Sequence, residues 1–404
     1  MKQPFEGLKA VGFVYAGVGG MILKVLAEFG ATVVIVESMN RPSNIRLAGP
    51  FKDDVVGINR SGWFAGGNND KYSIALNLKH PRSLEVSRRL LLWADVVVDN
   101  FSPRAMKGLG LSYEDIRKVN PHIVMISCTF QGQTGPYSHM AGYGPQMQCL
   151  TGFAELTGWP DREPDLVCMA YPDHIAPRFA LCALIAALDY RKRTGKGQYI
   201  DLSEYEATIQ FLSPVILDYA ANSRMQSRNG NKLPYAAPNG VYRCKGEDRW
   251  CAITISTDAE WEAFCKVIGN PAWTKEEKFA TILGRKKNED ELNQLVEEWT
   301  VGYAPEDVMA MIQQSGIAAG VVRNCEEVLD NCPQLKHRNY WWTLKHPEIG
   351  EYKVRSSNFK LTKTPGQLRM AAPCLGEHTE YVCTGLLDMT EEEFIDLYKD
   401  NVFE

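Results

Sequence analysis

The sequence lacks the features of several large protein classes. Its 404 residues contain no C-x-x-C pair, no apolar run near the roughly 20 residues that span a bilayer, and no excess of positive charge. Its eleven cysteines are scattered and its N-terminus is polar, so we expect reduced thiols, no secretory signal and a cytoplasmic location. The net charge of −5 argues against a general nucleic-acid surface. We therefore expect neither a membrane nor a nucleic acid as a partner.

Common catalytic motifs are also missing. The sequence has no nucleophile elbow around a serine, no H-E-x-x-H, no Walker loop and no paired-cysteine site. Its seven histidines are not grouped with cysteines or carboxylates at ligand spacing. These absences predict that no metal is bound, and they leave the reaction open.

The first 130 residues instead alternate strands with helices. Short apolar segments predict strands at Lys9–Tyr15, Thr32–Glu37, Asp95–Phe101 and His122–Phe130. Segments with helical spacing lie between them, for example "MILKVLAEFG" and "SYEDIRKVN". This alternation predicts an α/β fold with a mostly parallel sheet that is covered on both faces. In such sheets, ligands bind beyond the carboxyl ends of the strands.

The remaining sequence predicts two further parts. The segment "NGVYRCKGEDRWCAITI" predicts a hairpin around Gly246, and three helical segments follow it, which together suggest a smaller α+β domain. The final part holds "GEYKVRSSNFKL", which predicts a strand pair, and a terminal helix, but little core of its own. We therefore predict a large domain at 1–225, a small domain at 226–330, and a segment at 331–404 that returns to the large domain.

Three polar or glycine-rich segments each allow two interpretations. The backbone amides of the "AGVGG" turn, Ala16–Gly20, either bind a phosphate or carboxylate or form only a tight strand-to-helix turn. The glycine-rich loop Thr129–Gln148 is long enough to be functional or disordered, and its position after a strand favours function. The cations of Arg191–Lys196 are explained by the negative end of a helix dipole.

Asp173 is the most ambiguous candidate residue. It lies between Pro172 and a long apolar segment, of which Ile175–Tyr190 predicts a helix buried all round. Aspartate is a favoured helix N-cap, and Pro177 suits a first helical turn, so a capping role is sufficient to explain the pattern. From spacing alone, Asp173 is either a cap or a catalytic carboxylate.

Several motifs in a fixed order resemble one enzyme family. The chain carries "GLKAVGFVYAGVGGMILKVLAEFGATVVIVE", "GNNDKYSIALNLKHPRS", "ADVVVDNFSPRAMKGLGL", "TFQGQTGPY" followed by "GYG", and finally "LGEHTEYV". Over essentially the whole chain, these motifs resemble the class III CoA-transferases. That family includes the formyl-CoA, carnitine and benzylsuccinate CoA-transferases and the related α-methylacyl-CoA racemases. The resemblance implies a Rossmann-like large domain, a smaller α+β domain, and ring-shaped chains that interlock as a dimer.

The resemblance also implies a reaction and a nucleophile. In the family's transferases, a single aspartate ahead of the apolar helix that leads to "TGKGQ" is the nucleophile, and Asp173 occupies that position. CoA would then move from an acyl-CoA donor to a small carboxylic acid through mixed anhydrides and an aspartyl-CoA thioester on this residue. Coenzyme A enters as the acyl-CoA substrate, and the resemblance implies no metal and no redox cofactor.

Carried over residue by residue, the CoA contacts fall in the first part of the chain. The resemblance implies that Gly17 and Val18 line the pantetheine and thioester end. It also implies contacts to CoA or the active-site loop for five further residues: Leu76, Lys79, Asn100, Phe101 and Tyr143. We therefore expect the CoA site along one edge of the parallel sheet.

The chain also departs from the family pattern. Phe130–Gln131 replaces a glycine and an aromatic residue, and Gly144 stands where the family has an acid or amide after the tyrosine. An arginine that often follows the second strand and stacks on adenine is Ser38 here, so Arg41 or Arg46 would have to substitute. The expected contacts to the acyl group and adenine are therefore the least secure.

Two alternatives remain beside CoA transfer. An α-methylacyl-CoA racemase needs two bases that face the α-carbon, and the family's histidine base aligns with Tyr143, which is a poor base at neutral pH. A non-catalytic subunit of a heteromeric CoA-transferase is the other alternative, so the expected assembly is a homodimer or a heteromer with a related subunit.

The acceptor acid is expected to be aromatic or dicarboxylic. Nearby arginines would bind a second carboxylate of a dicarboxylic acceptor. Four residues would line an apolar pocket for the acid: Pro145, Gln146, Met147 and Trp159.

Overall fold

The largest sheet is built from short strands rich in β-branched residues. The structure, a computed structural model, describes residues 2–404. The strands of this sheet are β1 (Lys9–Phe13), β2 (Thr32–Glu37), β3 (Tyr72–Ala75), β4 (Val96–Asp99), β5 (Val124–Thr129) and β6 (Gln198–Ser203). They are all parallel and lie in the order β3-β2-β1-β4-β5-β6. This doubly wound arrangement confirms the α/β fold.

Helices cover both faces of this sheet. They are α1 (Val18–Glu28), α2 (Asn44–Leu47), α3 (Gly62–Gly67), α4 (Ser83–Trp93), α5 (Ala105–Gly108), α6 (Tyr113–Val119), α7 (Gly144–Thr151), α8 (Phe153–Leu156), α9 (Tyr171–Thr194), α10 (Glu204–Ile209) and α11 (Ser213–Asn222). Short 3₁₀ turns occur at Lys52–Asp54 and Gln210–Leu212. The helix predicted from "SYEDIRKVN" is confirmed as α6, and its N-cap is Ser112, whose side chain accepts a hydrogen bond from the amide of Asp115.

Alternation along each strand divides the interior into two cores. On β2, Val33 and Ile35 join a core that contains apolar residues of α1 and α9. Val34 and Val36 point the other way, into a core that contains residues of α4 and α6. Successive strand side chains face opposite sides, so a sheet covered on both faces needs an almost continuous apolar run. The run "TVVIV" meets this need.

A second unit has its own antiparallel sheet and core. Its strands β7 (Asn239–Arg243) and β8 (Trp250–Thr254) form the predicted hairpin around Gly246, and β9 (Ala318–Val321) adds a third strand. Its helices are α12 (Asp258–Val267), α13 (Ile282–Lys287), α14 (Glu289–Thr300) and α15 (Pro305–Gln314), with shorter turns at Ala272–Lys275, Glu277–Phe279 and Glu327–Asn331. Aromatic side chains such as Trp261 and Phe264 fill this core. The smaller α+β fold is therefore confirmed.

The C-terminal part packs on the large sheet. It contains α16 (Pro333–His337), β10 (Trp341–His346), β11 (Gly350–Arg355), a π-helical turn at Tyr381–Leu386 and α17 (Glu391–Lys399). The amide of His378 donates to the carbonyl of Ser73 at 2.9 Å, and the amide of Asn77 donates to Val402 at 2.9 Å. Apolar residues of α17 complete the core over α4.

The chain forms two compact units. One comprises the chain up to Leu156, Asp165–Gln226 and Gln334–Glu404, and the other comprises Thr157–Pro164 and Ser227–Pro333. The functional domain boundaries expected from the sequence stay a prediction. Within residues 2–404, the structure has no helix that is both long enough and apolar enough to cross a membrane.

Three expectations from the sequence were wrong in detail. The strand β3 was missed, because its four residues follow a polar, glycine-rich segment without a clear period. The segment "GEYKVRSSNFKL" forms one strand, β11, whose partner is β10 and not its own second half. The helix α9 is not buried all round. The side chains of Phe179 and Ile185 are 38% and 51% exposed, because no described part of the chain covers the face of α9 on which they lie.

Candidate active site

The turn after β1 lies where the strand order of the sheet reverses. The carboxyl ends of β1 and β4 are neighbours, while their following helices lie on opposite faces, which opens a crevice for a ligand. Asn100, just after β4, fixes this turn: its Oδ1 accepts from the Tyr15 amide at 2.7 Å and its Nδ2 donates to the Tyr15 carbonyl at 2.5 Å. The Ala16 amide donates to Ser43 Oγ at 3.0 Å. These hydrogen bonds therefore fix the glycine-rich turn Ala16–Gly20, for which the sequence allowed a binding role, at the carboxyl edge of the sheet.

Gly17 and Val18 begin helix α1 at this turn. Gly17 is the N-cap residue, and Val18 is buried as the first helical residue. The first amides of a helix lack intrahelical partners, so this terminus suits an anionic or carbonyl oxygen. A Cβ on Gly19 would lie 2.4 Å from Val14 Cγ1 and 3.2 Å from Asn100 Oδ1. Only glycine at this position allows the close packing of helix, turn and Asn100.

A cavity of about 130 Å³ opens beside this turn. It is lined by Gly17, Met21, Ile45, Gly62, Trp63, Gly66, Gly67, Asn68, His174 and Arg355. Three of these residues, Trp63, His174 and Arg355, were not expected from the sequence. His174 is next to Asp173, which was a usable signal, but nothing local marks Arg355, on a strand about half the chain away. The four residues expected to line the acid pocket, Pro145 to Met147 and Trp159, do not line this cavity.

Asp173 lies in the first turn of α9. The N-cap residue is Ala170, whose carbonyl accepts from the Asp173 amide at 3.0 Å, so Asp173 is the third helical residue and the capping interpretation was wrong. The helix begins earlier than expected because Pro172 suits its first turn. As a result, Pro177 lies inside the helix, where it has no N–H to donate to the Asp173 carbonyl.

The carboxyl group of Asp173 is partly buried and incompletely bonded. Its Oδ1 is buried and has no hydrogen-bond partner among the described residues. Burial raises the pKa of Asp173 to about 6, although a backbone amide opposes this shift. A carboxylate with an uncommitted oxygen in a partly dry site is more nucleophilic than one fully bonded or solvated. A structural cap would instead bond its oxygens to backbone amides.

Gly144 forms the wall next to this carboxyl group. A Cβ at Gly144 would lie 2.6 Å from Asp173 Oδ1, 2.5 Å from Ala170 Cβ and 2.6 Å from Ala170 Cα. A side chain in this position would therefore collide with the Asp173 carboxyl group and with the backbone that starts α9. The glycine that replaces the family's acid or amide thus belongs to the shape of this site.

Replacing Gly144 with alanine is expected to displace Asp173 and lower activity on the order of 10²-fold, because a shift of about 1 Å in a reacting group has that effect. The measurement is the rate at which an acyl-CoA modifies Asp173. Gly108→Ala is the matched control, since a Cβ there meets no atom within 4 Å. Equal rates in the two variants would contradict the role of Gly144.

One of the two altered loop residues, Phe130, packs against the loop itself. The ring of Phe130, which replaces a family glycine, lies against Gly142, where a Cβ would be 2.5 Å from Phe130 Cζ. The Phe130 carbonyl accepts from the Tyr205 amide at 3.1 Å, which ties the loop to the start of α10. Phe130 therefore braces the segment that leads to Gly144. The loop also ends earlier than expected, because α7 begins at Gly144.

The remaining predicted CoA residues lie at different depths. Leu76 is fully buried and forms an isolated bridge with Phe403, so its side chain belongs to the core, while Lys79 is exposed. Phe101 is half-buried, and its amide donates to Asp99 Oδ1 at 2.8 Å. Tyr143 is 54% exposed as the residue before α7. Gly17, Val18 and Asn100 are thus brought together, and the role of the others stays a prediction.

Of the two arginines proposed to replace the family's adenine contact, only one is accessible. Arg46 is fully buried, and its guanidinium pairs with Glu37 at 2.7 Å. It therefore cannot stack on a nucleotide. Arg41 is exposed, and its guanidinium carbon lies 5.5 Å from the centre of the Tyr15 ring, next to the turn after β1. Arg41 is the remaining candidate.

The cavity side of α9 is electropositive. Burial lowers the pKa of His174, and the charges of Arg355 and Arg178 lower it further, so His174 is neutral at pH 7. Among the described residues, neither arginine takes part in an ion pair. The Lys24 ammonium donates to the Arg355 carbonyl at 2.7 Å. The positive charge near His174 is therefore available to an anionic ligand.

Comparisons with known proteins identify relatives of this chain. The sequence model of CoA-transferase family III matches residues 5–379. Succinyl-CoA–D-citramalate CoA-transferase of Chloroflexus aurantiacus is 30% identical over 370 residues, which cover 92% of this chain and 90% of that protein. The beta subunit of succinyl-CoA–L-malate CoA-transferase from the same organism is 26% identical over 404 residues, which cover 99% of this chain and 98% of that protein. A CAIB/BAIF family protein from Brucella suis has a TM-score of 0.87 at 30% identity, with 96% of this chain and all of that chain covered.

Proposed function

The chain belongs to CoA-transferase family III, and from this premise we propose that it moves CoA from an acyl-CoA donor to a carboxylic acid, with Asp173 as the catalytic nucleophile. One observation carries the proposal. Asp173 Oδ1 is buried without a hydrogen-bond partner among the described residues, at the start of a helix whose next residue, His174, lines a cavity that also reaches the turn after β1. That combination is expected of an attacking group.

The proposed reaction exchanges one activated carbonyl for another. The Asp173 carboxylate attacks the thioester carbonyl, the C–S bond breaks, and CoA thiolate leaves a mixed anhydride. The thiolate then attacks the aspartyl carbonyl and releases the first acid, which gives an aspartyl-CoA thioester. The incoming carboxylate attacks this thioester to form a second anhydride, from which the thiolate takes the new acyl group. Each bond broken is replaced by one of similar energy, so no external energy source is needed.

The chain contributes the binding and positioning for these steps. The first amides of α1, with Gly17 and Val18, are proposed to face the thioester end of CoA, and Asn100 holds that turn. Phe101, Lys79, Tyr143 and the backbone near Leu76 are proposed to contact the rest of CoA. The burial of Asp173 keeps water from its intermediates, which hydrolyse readily.

We further propose that the acceptor is a dicarboxylic acid. Arg355 lines the cavity together with His174, the residue after Asp173, and forms no ion pair among the described residues, and Arg178 adds positive charge near His174. One carboxylate of the acceptor would attack the aspartyl thioester while the other is held by Arg355. Two relatives are named for D-citramalate and L-malate, which are both dicarboxylates, and this supports the proposal.

Replacing Arg355 with glutamine is expected to raise the KM for a dicarboxylic acceptor on the order of 10- to 100-fold, which is the loss of one charge-assisted hydrogen bond. A monocarboxylic acceptor of similar size should be affected little, because it does not need this cation. Arg117→Gln is the control, since Arg117 is an exposed residue of α6 paired with Glu114. An equal rise for both kinds of acceptor would argue against the proposed contact.

The assembly stays a proposal as well. The uncovered apolar residues of α9 and α11, including Phe179 and Leu217, support a partner chain, either a second copy in the interlocked dimer or a related subunit. The relative named as a beta subunit supports the second arrangement. If the purified chain alone modifies Asp173 with CoA, the non-catalytic subunit alternative is excluded. The exposed Tyr143 in place of a histidine base speaks against the racemase alternative.

The function is tested by incubating the chain with a panel of acyl-CoAs, including succinyl-CoA, and analysing its peptides by mass spectrometry. We expect a CoA thioester on the peptide that contains Asp173, which disappears when a carboxylic acid acceptor is added. A CoA adduct on another residue would refute the assigned nucleophile. The absence of any adduct, together with deuterium exchange at the α-carbon of the acyl group, would instead support racemisation.

A further inference from the structure

Two adjacent glycines on the wall of the cavity are not required by the backbone. Gly66 and Gly67 are the last two residues of α3, and both line the cavity. Glycine is less favourable than alanine in a helix, and it is normally needed where φ is positive or where another group approaches closely. Neither glycine has a positive φ, and a Cβ on either would meet no atom within 4 Å beyond its chain neighbours and the helix's own backbone. Neither reason therefore applies to this pair.

The other cavity glycines are constrained in a way that this pair is not. A Cβ on Gly17 would lie 3.3 Å from Met21 Cε, and one on Gly62 would lie 3.3 Å from the Pro50 carbonyl oxygen. Close packing explains both of these glycines. In front of Gly66 and Gly67 the space is empty, and both residues border the cavity. A side chain at either position would therefore take space from the cavity and not from packed protein.

Helix α3 is fixed at both ends, so this wall cannot move aside. Ser61 caps its start by accepting from the Phe64 amide at 3.3 Å. At its end, the fully buried Lys71 donates from Nζ to the Gly67 carbonyl at 3.0 Å. The same ammonium donates to the Gly20 carbonyl at 2.7 Å, which ties the end of α3 to α1. The space in front of the two glycines is therefore a fixed quantity.

The size of the cavity restricts what can occupy it. Its volume is about 130 Å³. An apolar protein cavity of about 150 Å³ holds one benzene molecule, which has about six non-hydrogen atoms. A small acid fits such a space, whereas CoA is far larger. The cavity also contains Arg355, whose carbonyl accepts from Lys24 Nζ at 2.7 Å. A fixed cation and a fixed glycine wall together suit a short acid with a second carboxylate.

We propose that Gly66 and Gly67 are specificity-determining residues, whose missing side chains leave space for the carbon chain of a short dicarboxylic acid and set the greatest length accepted. The proposal rests on the proposed function of the chain. In that reaction the released acid and the incoming acid react at the same aspartyl carbonyl, so one space serves both. A methyl group added at either glycine would occupy about the volume of one methylene of the acid. In a pocket with fixed walls, one methylene changes specificity on the order of 10- to 100-fold.

The test is transfer of CoA from succinyl-CoA to dicarboxylic acids of increasing length, from malonate through glutarate to adipate, with kcat/KM measured for each. Gly66→Ala and Gly67→Ala should lower kcat/KM for the longest accepted acid on the order of 10- to 100-fold relative to the shortest. The double variant should shift the preference further towards the shortest acid. Gly108→Ala is the control, because Gly108 does not line the cavity and a Cβ there meets no atom within 4 Å.

Thermal melting separates this effect from unfolding. Alanine is favoured over glycine in a helix, so both glycine variants should melt at or above the wild-type temperature. Unchanged ratios between the acids in both variants would overturn the inference, since the space would then not limit the acid. An equal loss for all acids, with a raised KM for succinyl-CoA, would place the pantetheine arm of CoA in the cavity and would also overturn it.

These results leave the proposed function intact, because they are measured against an active wild-type chain. If the wild-type chain transfers CoA to none of the acids and no acyl-CoA modifies Asp173, the proposed function itself fails. The inference about Gly66 and Gly67 then fails with it.

Discussion

The variant Asp173→Asn is expected to lose CoA transfer by on the order of 10⁴-fold or more, because an amide oxygen is a far weaker nucleophile than a carboxylate. The side chains have nearly the same shape, so the site itself should persist. The measurement is initial-rate transfer from succinyl-CoA to a dicarboxylic acceptor, with mass spectrometry of the Asp173 peptide to exclude deamidation back to the acid. The CoA adduct should be absent from the variant.

Asp189→Asn provides a control within the same helix. Asp189 is exposed and pairs with Arg193 one turn later, on the part of α9 that is far from its N-terminus. This variant should transfer CoA at the wild-type rate. Full activity in Asp173→Asn without deamidation would refute Asp173 as the nucleophile. Equal losses of CoA transfer in Asp173→Asn and Asp189→Asn would indicate damage to helix α9.

Thermal stability separates a catalytic loss from unfolding. Burial raises the pKa of Asp173 from 3.8 to about 6, so the folded chain favours the protonated form. The stability from this group is therefore fully present below pH 3.8 and is lost as the pH rises through about 6. At pH 7 the ionised carboxylate destabilises the fold, and Asp173→Asn should melt at the same or a higher temperature than the wild type. Active sites commonly show this exchange of stability for activity.

The sequence predicted the sheet well where local period and composition were sufficient. The strand Thr32–Glu37 was predicted with its observed bounds, because four successive apolar residues on a doubly covered sheet leave little choice. The strand β3 escaped because four residues carry too weak a period. The start of α9 was misplaced because two prolines, Pro172 and Pro177, each suit a first helical turn, and only the packing of the chain decides between them.

The candidate site was predictable only where it is local in the sequence. Asp173 and the turn with Gly17 and Val18 are marked by neighbouring residues. Arg355 is brought to the site by a strand that is distant along the chain, and an isolated arginine carries no local signal. The resemblance to a family gave Asp173 as the expected nucleophile, but it could not indicate residues at which this chain departs from the family.

The variant Arg46→Met is expected to lower the free energy of unfolding by about 3–5 kcal/mol, because it leaves a buried carboxylate without its cation. Both Glu37 oxygens lie 2.7 Å from guanidinium nitrogens of Arg46, and Arg46 Nη2 also donates to the Pro373 carbonyl at 3.0 Å. After the change, the Ser73 hydroxyl, 2.7 Å from Glu37 Oε2, is the remaining side-chain donor to that carboxylate. The measurement is urea-induced unfolding followed by circular dichroism.

A second substitution distinguishes the ion pair from simple packing. Replacing a buried pair by two apolar residues is often neutral, whereas removing one partner strands the other charge. The double variant Glu37→Met with Arg46→Met should therefore be more stable than Arg46→Met alone. Arg41→Met, at an exposed position five residues away, should change stability by no more than about 0.5 kcal/mol. If the double variant is less stable than the single one, Glu37 stabilises the fold even without Arg46, and an unpaired carboxylate is not the reason why Arg46→Met loses stability.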